Sequence, residues 1–279
     1  MNPARRPRTP ALRRGPYGGS YRGLMRWEDL KGVLVDRSRA VGDLLRVSSA
    51  GQEVPGSDWS PPEIGAHLVS LPRRYMRMMD RPEPFPESLS AVNEAEMRAV
   101  GCSDLDQLAD MLVSDVDDLV TRLGDDGSRP VPFFGMKHTA EAVGAVMLGE
   151  LLLHGLDLAR ALRRPWVIGR DEAIAVLGGL LPAVGYSVDP EVAWRAAGTY
   201  HLRIRHGHDW TIEVRDGAAT VQKGHPERAD LHISADPLAF LLVGYGRASR
   251  WRSLLTGRML GWGRHPLLVA HFSKLFRET

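Results

Sequence analysis

Glutamate and histidine side chains suited to metal binding lie in the most apolar stretch of the chain. Glu150 and His154 are four residues apart, so on a helix they project from one face, about one turn apart. An ionised carboxylate in this segment must be paired, protonated or bound to a metal. His67 lies in a second apolar segment. Two ligands from one helix and a third from a facing helix form a common type of metal site in helical bundles.

This set of residues has two interpretations. Two histidines and one glutamate leave one position of a tetrahedral zinc ion free, as in catalytic sites. Without a metal, Glu150 and His154 pair with each other, and His67 donates to a backbone carbonyl. Asp157, three residues after His154, either orients that histidine from behind or pairs with Arg160. The spacing by itself leaves both interpretations open.

Helical periodicity and capping signals predict the elements that position these residues. The second helix begins with a Ser60–Glu63 capping box and prolines in its first turn, and Pro72 is expected to kink or shorten it. Ser103 is expected to cap the third helix, and Pro182 to end the fifth. The predicted helices are Met25 to Leu45, Pro61 to Met78, Leu105 to Leu119, Thr139 to Leu162 and Asp171 to Leu181. The first four form an up-and-down bundle, with the last packed on it.

The hydrophobic period changes from helical to alternating after the helical region. The predicted strands are 200–205, 210–215, 219–222 and 231–234. Asp236 is expected to cap a helix toward Val243, and His265 to open a terminal helix to Phe276. Residues 186–279 are therefore predicted to form an α+β domain in which helices cover an antiparallel sheet.

Composition predicts a soluble globular protein of two domains. The 279 residues are 43% hydrophobic and 25% charged, which is close to the average of soluble folds. The most apolar stretch, Ala142 to Leu162, contains Glu150, His154, Asp157 and Arg160, and polar side chains at this density are costly in hydrocarbon. We therefore expect a buried helix in this stretch and no membrane partner.

Residues 1–22 are predicted to be a disordered extension rich in Arg, Pro and Gly. The extension has no apolar face, so its removal is expected to leave the fold intact, and translation from Met25 is an alternative to Met1. Without the five arginines of residues 1–20 the formal charge changes from +2 to −3, which gives no general attraction to nucleic acid. With a single cysteine, Cys102, and no apolar segment that indicates secretion, the expected location is cytoplasmic.

Together these features resemble the mycothiol-dependent maleylpyruvate isomerase family. The resemblance rests on His67 in the second helix, on the E-x-x-x-H-G-x-D-x-A pattern within Gly149 to Arg160, and on the α+β region after the helices. It implies a fold of class α plus α+β. An N-terminal four-helix, DinB-like metal-binding bundle (23–185) is followed by a sterol-carrier-like α+β domain (186–279).

The resemblance also implies a site and a reaction. The family's metal ligands carry over to His67, Glu150 and His154, and Asp157 is the candidate that orients His154. The implied cofactors are a divalent metal, Zn2+ in the first place, and mycothiol as the thiol cosubstrate. A thiolate would add to a small, maleylpyruvate-like electrophile. Elimination after bond rotation would make the protein an isomerase, and release of the adduct would make it an S-transferase.

Basic side chains are needed to hold an acidic thiol and a dicarboxylate substrate. The candidates are Arg73, Arg74, Arg247, Arg258 and Arg264, of which Arg247, Arg258 and Arg73 are predicted as the clamp. The alternative class is a non-catalytic metal- or lipid-binding module, because a sterol-carrier-like domain can enclose an apolar ligand. In the enzyme interpretation the partners are a small-molecule thiol and its substrate. The chain is expected to be a monomer or a homodimer.

Other reactive side chains are predicted to have structural roles. Cys102 is expected to pack, and His138 to cap a helix or lie on the surface. Trp251 and Trp262 are expected in the core of the second domain. No second metal site is expected among four histidines scattered over predicted strands and a turn, namely His201, His206, His208 and His232.

Overall fold

A computed structural model of the protein describes residues 25–184, 188, 190–265 and 268. The predicted extension at 1–22 lies outside the described residues, and so does nearly all of the predicted terminal helix from His265 to Phe276.

Helices form the first domain. They are α1 (Trp27–Arg46), α2 (Pro61–Asp80), α3 (Leu89–Val100), α4 (Leu105–Leu123), α5 (Ala140–Ala161) and α6 (Arg170–Val184). Helices α1, α2, α4 and α5 pack together as the bundle, and α6 packs on α5. A short hairpin of β1 (Pro130–Phe133) and β2 (Met136–Thr139) precedes α5. The bundle with an added helix is confirmed, whereas α3 and the hairpin were not predicted.

The helix ends follow local chemistry, with three departures from the predicted ends. Ser60 and Glu63 form the expected capping box on α2. The helix runs through Pro72 to Asp80, so the proline does not shorten it. The cap of α4 is Asp104, whose side chain accepts from the Gln107 amide, rather than Ser103. Pro182 lies inside α6 and does not end it.

Helix α5 is the core helix of the bundle. It is the one helix of the described residues that is long and apolar enough to cross a membrane, with a mean hydropathy of 1.5. However, 83% of its most apolar 18-residue stretch is buried inside the protein, as the sequence predicted for a buried helix. Neighbouring helices therefore shield Glu150 and His154 from most directions.

The second domain is a five-stranded sheet with short helices. Its strands are β3 (Gly198–Ile204), β4 (Asp209–Arg215), β5 (Ala218–Lys223), β6 (Leu231–Ala235) and β7 (Met259–Gly263). Their order across the sheet is β5-β4-β3-β6-β7. The helices are α7 (Pro190–Arg195), α8 (Pro237–Gly244) and α9 (Arg250–Leu255). The four predicted strands and the helix capped by Asp236 are confirmed, and α7, α9 and β7 were not predicted.

The sheet is mixed rather than antiparallel. Strand β6 pairs with β3 in parallel, so that His201 lies beside His232, while the other pairs are antiparallel. The connection 224–230 causes this, because it carries the chain from β5 at one edge of the sheet to the far side of β3. Alternating hydrophobicity indicates a strand but not its direction, which is why the prediction was wrong on this point.

One face of the sheet forms the second core. Tyr200, Leu202, Trp210 and Ile212 are almost fully buried there. Trp251 and Trp262, which were expected in this core, are instead 68% and 52% exposed, because both lie on elements at the rim of the domain. The two domains meet where α6 packs against α8.

Candidate metal centre

The structure brings His67, Glu150 and His154 together between α2 and α5. The Nε2 atom of His67 lies 3.6 Å from Glu150 Oε2, and the Nε2 atom of His154 lies 3.5 Å from the same oxygen. These separations exceed the usual N–H···O hydrogen bond of roughly 2.7–3.2 Å. They are close to the spacing of about 3.3 Å between neighbouring ligand atoms on a tetrahedral zinc ion. The chemistry and spacing of this donor set therefore fit a divalent metal.

Burial supports the same interpretation. The side chain of His67 is only 4% exposed, while that of Glu150 is 21% exposed, so the cluster opens to solvent on the carboxylate side. The Nδ1 atoms of both His67 and His154 are buried without a hydrogen-bond partner among the described residues. Buried imidazole nitrogens normally have partners, so among the described residues these two rings are held by packing rather than by hydrogen bonds at Nδ1.

Trp59 supplies much of that packing, and the sequence analysis missed it. Its ring centroid lies 4.7 Å from that of His67 and 5.8 Å from that of His154, where the rings stack. The residue immediately precedes the Ser60 cap, so the capping box that starts α2 also fixes the tryptophan against both histidines. A hydrophobic residue just before an N-cap was the available signal.

Protonation in the cluster follows from burial and from the charges at close range. Burial lowers the pKa of His67, which favours the neutral imidazole that binds metals. Burial alone would raise the pKa of Glu150, but the two facing histidines outweigh it and hold the pKa below its usual value. Burial likewise opposes the charge on His154, yet Asp157 and Glu150 raise its pKa. The cluster therefore has an ionised carboxylate at its centre.

Asp157 extends the cluster toward the second domain. Its Oδ2 atom lies 3.6 Å from His154 Nδ1, on the side of the ring away from Glu150. Arg247 donates to both oxygens of this carboxylate, from Nη2 at 2.7 Å and from Nε at 3.3 Å. Burial would raise the pKa of Asp157, but His154 and Arg247 lower it. A line of alternating charge thus runs from Glu150 through His154 and Asp157 to Arg247.

The charge on Glu150 also acts on two buried phenol groups. Tyr75 belongs to α2, and Tyr245 follows α8 in the second domain. Burial first, and then the charge on Glu150, raise the pKa of both hydroxyls, so both stay protonated. Neither tyrosine was predicted, because only the fold brings them near Glu150.

A glycine within the H-G-x-D pattern has a packing reason. A Cβ atom at Gly155 would lie 2.3 Å from the Trp166 ring, a distance that no side chain tolerates. Trp166 lies against α5 and donates from its indole nitrogen to the Leu152 carbonyl. The glycine next to His154 therefore allows Trp166 to pack against the back of this helix.

The predicted arginines separate into different environments. Arg247 contacts Asp157, on the side of the cluster toward the second domain. Arg73 pairs with Asp115 of α4, because six residues after His67 it is turned roughly 240° around α2. Arg258 pairs with Asp236 within the second domain. The structure therefore does not bring Arg73 or Arg258 to the cluster.

The two remaining candidates lie outside the cluster. Arg74 is buried and donates to Glu96 and Asn93, which anchors α3 on the bundle. Arg264 is exposed after β7.

His138 and Cys102, the other reactive side chains considered in the first domain, are buried or partly buried. His138, expected at a helix cap or on the surface, is buried in β2 with its ring edge on Phe133, because the unpredicted hairpin covers it. Cys102 is partly buried and packs on the core, as predicted.

Comparison with known proteins bears on the second domain first. Residues 186–260 match the profile of the SCP-2 sterol transfer family. This part of the chain comprises α7 to α9, the strands β3 to β6 and the first two residues of β7. No curated protein sequence matches the chain significantly.

Several solved structures are similar in fold. One is a mycothiol-dependent maleylpyruvate isomerase, 15% identical over 81% of this chain and 91% of that chain, with a TM-score of 0.49. Another is sterol carrier protein 2 like 2 from Aedes aegypti, 17% identical over 38% of this chain and 98% of that one, with a TM-score of 0.33. Sterol carrier protein 2 from Yarrowia lipolytica is 17% identical over 35% and 92%, with a TM-score of 0.27. The helices and strands described above, together with the family match of residues 186–260, show a helical domain followed by a small SCP2-type sheet domain.

Proposed function

We propose that the chain binds one divalent metal ion, Zn2+ first among the candidates, through His67, Glu150 and His154. The observation that carries this proposal is the approach of two imidazole Nε2 atoms to one carboxylate oxygen at 3.5–3.6 Å. Imidazole with carboxylate is a donor set that suits zinc. Three protein ligands and an opening beside Glu150 leave a position for a further ligand.

We propose further that the site serves a thiol-dependent reaction on a small electrophile, as an isomerase or an S-transferase. The support is the resemblance of the block containing Glu150, His154 and Asp157 to the mycothiol-dependent maleylpyruvate isomerase family. The metal would supply stabilisation of a thiolate at neutral pH. Mycothiol is the proposed thiol, a maleylpyruvate-like acid the proposed substrate class, and the cytoplasm the proposed location.

Arg247 is the side chain best placed to hold an acidic thiol or substrate. Among the described residues its guanidinium uses three of its five N–H groups, two on Asp157 and one on the Tyr245 carbonyl. The remaining N–H groups are available to a carboxylate. Because Asp157 fixes the guanidinium, the arginine is pre-organised for such a ligand.

The rest of the chain's contribution is exclusion of water and donation of hydrogen bonds. Trp59 covers both histidine rings on one side. Burial and then the charge on Glu150 keep the phenols of Tyr75 and Tyr245 protonated, and we propose that Tyr245, from the second domain, donates a hydrogen bond to a bound anion. Tyr245 and Arg247 come from the second domain, and we therefore propose that the site needs both domains.

A second candidate function is a carrier of apolar ligands. The match of residues 186–260 to the SCP-2 sterol transfer family favours it. In that case the metal cluster of the first domain would be structural or absent. Displacement of a fluorescent fatty acid by sterols and fatty acids tests this function directly.

The enzyme proposal is tested by metal content and by turnover. Elemental analysis of the purified protein should find metal that is lost in the His154→Ala variant. Isomerisation of maleylpyruvate should then require mycothiol and fail with the thiol omitted. A protein that carries no metal at the bundle cluster contradicts the proposal, and saturable binding of fatty acid without any thiol-dependent turnover favours the carrier.

A further inference from the structure

A second cluster of histidine and carboxylate side chains lies on the outer face of the sheet. His201 belongs to β3, Asp209 begins β4, and His225 follows β5 in the connection 224–230. The core side chains Tyr200 and Leu202 flank His201 in sequence and point to the other face of the sheet. This cluster is therefore separate from the bundle cluster.

The geometry of the sheet cluster is tight. The Nε2 atom of His201 lies 3.1 Å from Asp209 Oδ1, and the Nε2 atom of His225 lies 3.0 Å from Asp209 Oδ2. The ring centroids of the two histidines are 4.6 Å apart. One ligand atom from each residue lies within 4.8 Å of the others. Both rings thus present their Nε2 atoms to one carboxylate.

The connection 224–230 holds His225 over the sheet. The Thr211 hydroxyl donates to the Gly224 carbonyl at 2.9 Å, and the Asp230 amide donates to the Thr199 carbonyl at 2.7 Å. The side chains of His201 and Thr211 share the outer face, so the bond from the Thr211 hydroxyl places Gly224, just before His225, over this face. His201 is 9% exposed and its neighbour across the strands, Thr211, is 5% exposed.

His201 also has a partner behind it. Its Nδ1 atom lies 3.1 Å from Nδ1 of His232, which is its neighbour in the parallel pair of strands. The His232 ring stacks on Trp262 of β7, with centroids 5.6 Å apart and an angle of 11° between the rings. Either imidazole can be the donor in the contact between His201 and His232. His201 can therefore carry its proton on Nδ1 and leave Nε2 free as a ligand.

We infer that His201, Asp209 and His225 form a second metal site, for a borderline divalent cation of the Zn2+ type. Two imidazoles and a carboxylate suit zinc, cobalt or copper rather than magnesium or calcium, which prefer oxygen ligands. His232 acts as the outer partner that orients a ligating histidine. The ion would fasten the crossing connection to β3 and β4, on a domain with no disulfide.

Metal analysis of the full chain tests the inference without reference to activity. Wild-type protein dialysed against Zn2+ and then against metal-free buffer should hold about two equivalents per chain, one in each cluster. His225→Ala should hold about one equivalent, and Asp209→Asn should agree with it. Because the His225 side chain is 64% exposed, its removal leaves the fold undisturbed. His206→Asn is the matched control, since His206 is exposed in a turn with positive φ that asparagine tolerates, and it should behave as wild type.

Failure of this inference and failure of the bundle site give different results. If the bundle proposal alone is wrong, the wild type holds about one equivalent, which His225→Ala removes and His154→Ala keeps. If the sheet inference is wrong, His225→Ala and Asp209→Asn hold as much zinc as the wild type. Binding of Co2+ adds a second measurement, because its visible absorption should decrease in His225→Ala and be unchanged in His206→Asn. An identical Co2+ spectrum in the wild type and both sheet-cluster variants would overturn the inference.

Discussion

The two histidine-carboxylate clusters differ in how the chain assembles them. In the bundle, two of the three residues come from one helix, and the side chains meet 3.5–3.6 Å apart in a nearly closed interior. On the sheet, each residue comes from a different element, and contacts of 3.0–3.1 Å form beneath a surface connection. The bundle cluster is fixed by helix packing, and the sheet cluster by strand register and by the connection 224–230.

The two clusters also differ in which parts of the molecule and of the solvent can reach them. The bundle cluster opens beside Glu150, and the second domain reaches it through Arg247, which contacts Asp157 on the other side of His154. The sheet cluster includes His225, whose side chain is 64% exposed. The outer partner of His201 is itself a histidine, His232. We therefore expect the bundle site to do chemistry and the sheet site to stabilise structure.

The largest expected effect comes from the carboxylate at the centre of the bundle cluster. Glu150→Gln keeps the shape of the side chain but removes the charge that both histidines face. We expect it to abolish metal binding in the bundle and thiol-dependent turnover, while the zinc of the sheet cluster remains. Glu141→Gln, at an exposed position at the start of the same helix, is the matched control. Elemental analysis of both variants measures the zinc content. The wild-type amount of zinc in Glu150→Gln would show that the bundle cluster does not bind the metal through this carboxylate.

The next largest effect concerns the ion pair between the domains. Arg247→Ala leaves Asp157 buried without its cation, which destabilises a protein by about 3 kcal/mol. Turnover should fall with it, because the proposed clamp is lost. Arg258→Ala removes an exposed pair with Asp236 and should change the free energy of unfolding by less than about 1 kcal/mol. Urea denaturation measures both values, and equal stabilities would show that the pair does not tie the domains together.

A smaller effect is expected from the carboxylate behind His154. Asp157→Asn keeps a hydrogen-bond acceptor near Nδ1 but loses the charge. Outer partners of this kind change metal affinity by roughly 10–100-fold, so zinc should be retained with a weaker dissociation constant. Competition with a chromophoric chelator provides the measurement. An unchanged zinc affinity would mean that Asp157 contributes only to the ion pair with Arg247 and does not influence the metal.

The smallest effect lies at the start of α2, which positions His67 and Trp59. Hydrogen bonds from the Ser60 hydroxyl and amide lower the pKa of Glu63 below its usual value of 4.5. A lowered pKa adds stability above the unfolded-state value, and this stability is lost as pH falls through the folded-state value. Glu63→Gln should therefore be less stable than wild type at pH 7, by less than about 1 kcal/mol because the site is exposed. The difference should shrink as pH falls below the usual value of 4.5 and disappear once the folded-state carboxyl is protonated, and a difference that persists in strong acid would point to a cause other than charge.

The bundle and its cluster were largely accessible from the sequence. Helical periodicity and caps located α1, α2, α4, α5 and α6. The spacing of Glu150 and His154 placed both on one face, because positions four apart on a helix are neighbours whatever the tertiary fold. His67 was proposed from its place in a second apolar helix, and the resemblance to a family supported it as the third ligand. Trp59 and Tyr75 escaped notice, since an aromatic residue at a helix start or interior is equally compatible with ordinary packing.

The sheet cluster was not accessible in this way. The four histidines considered omitted His225, and the prediction of no second site rested on their scatter along the sequence. Side chains on different strands become neighbours only through register, and the parallel pairing of β3 with β6 was itself predicted wrongly. A one-residue shift in register moves every side chain to the opposite face. The position of His225 depends in addition on a connection that has no regular period.

The ion pair of Arg247 and Asp157 also couples the two domains energetically. One carboxylate contacts a histidine of the first domain and an arginine of the second. Any ligand of the second domain that changes the position of residues 245–247 must therefore change the affinity of the bundle for its own ligands. Linkage requires the effect to be reciprocal and equal in free energy. Loading the bundle would then alter, by the same factor, the affinity of the second domain for any ligand that moves residues 245–247.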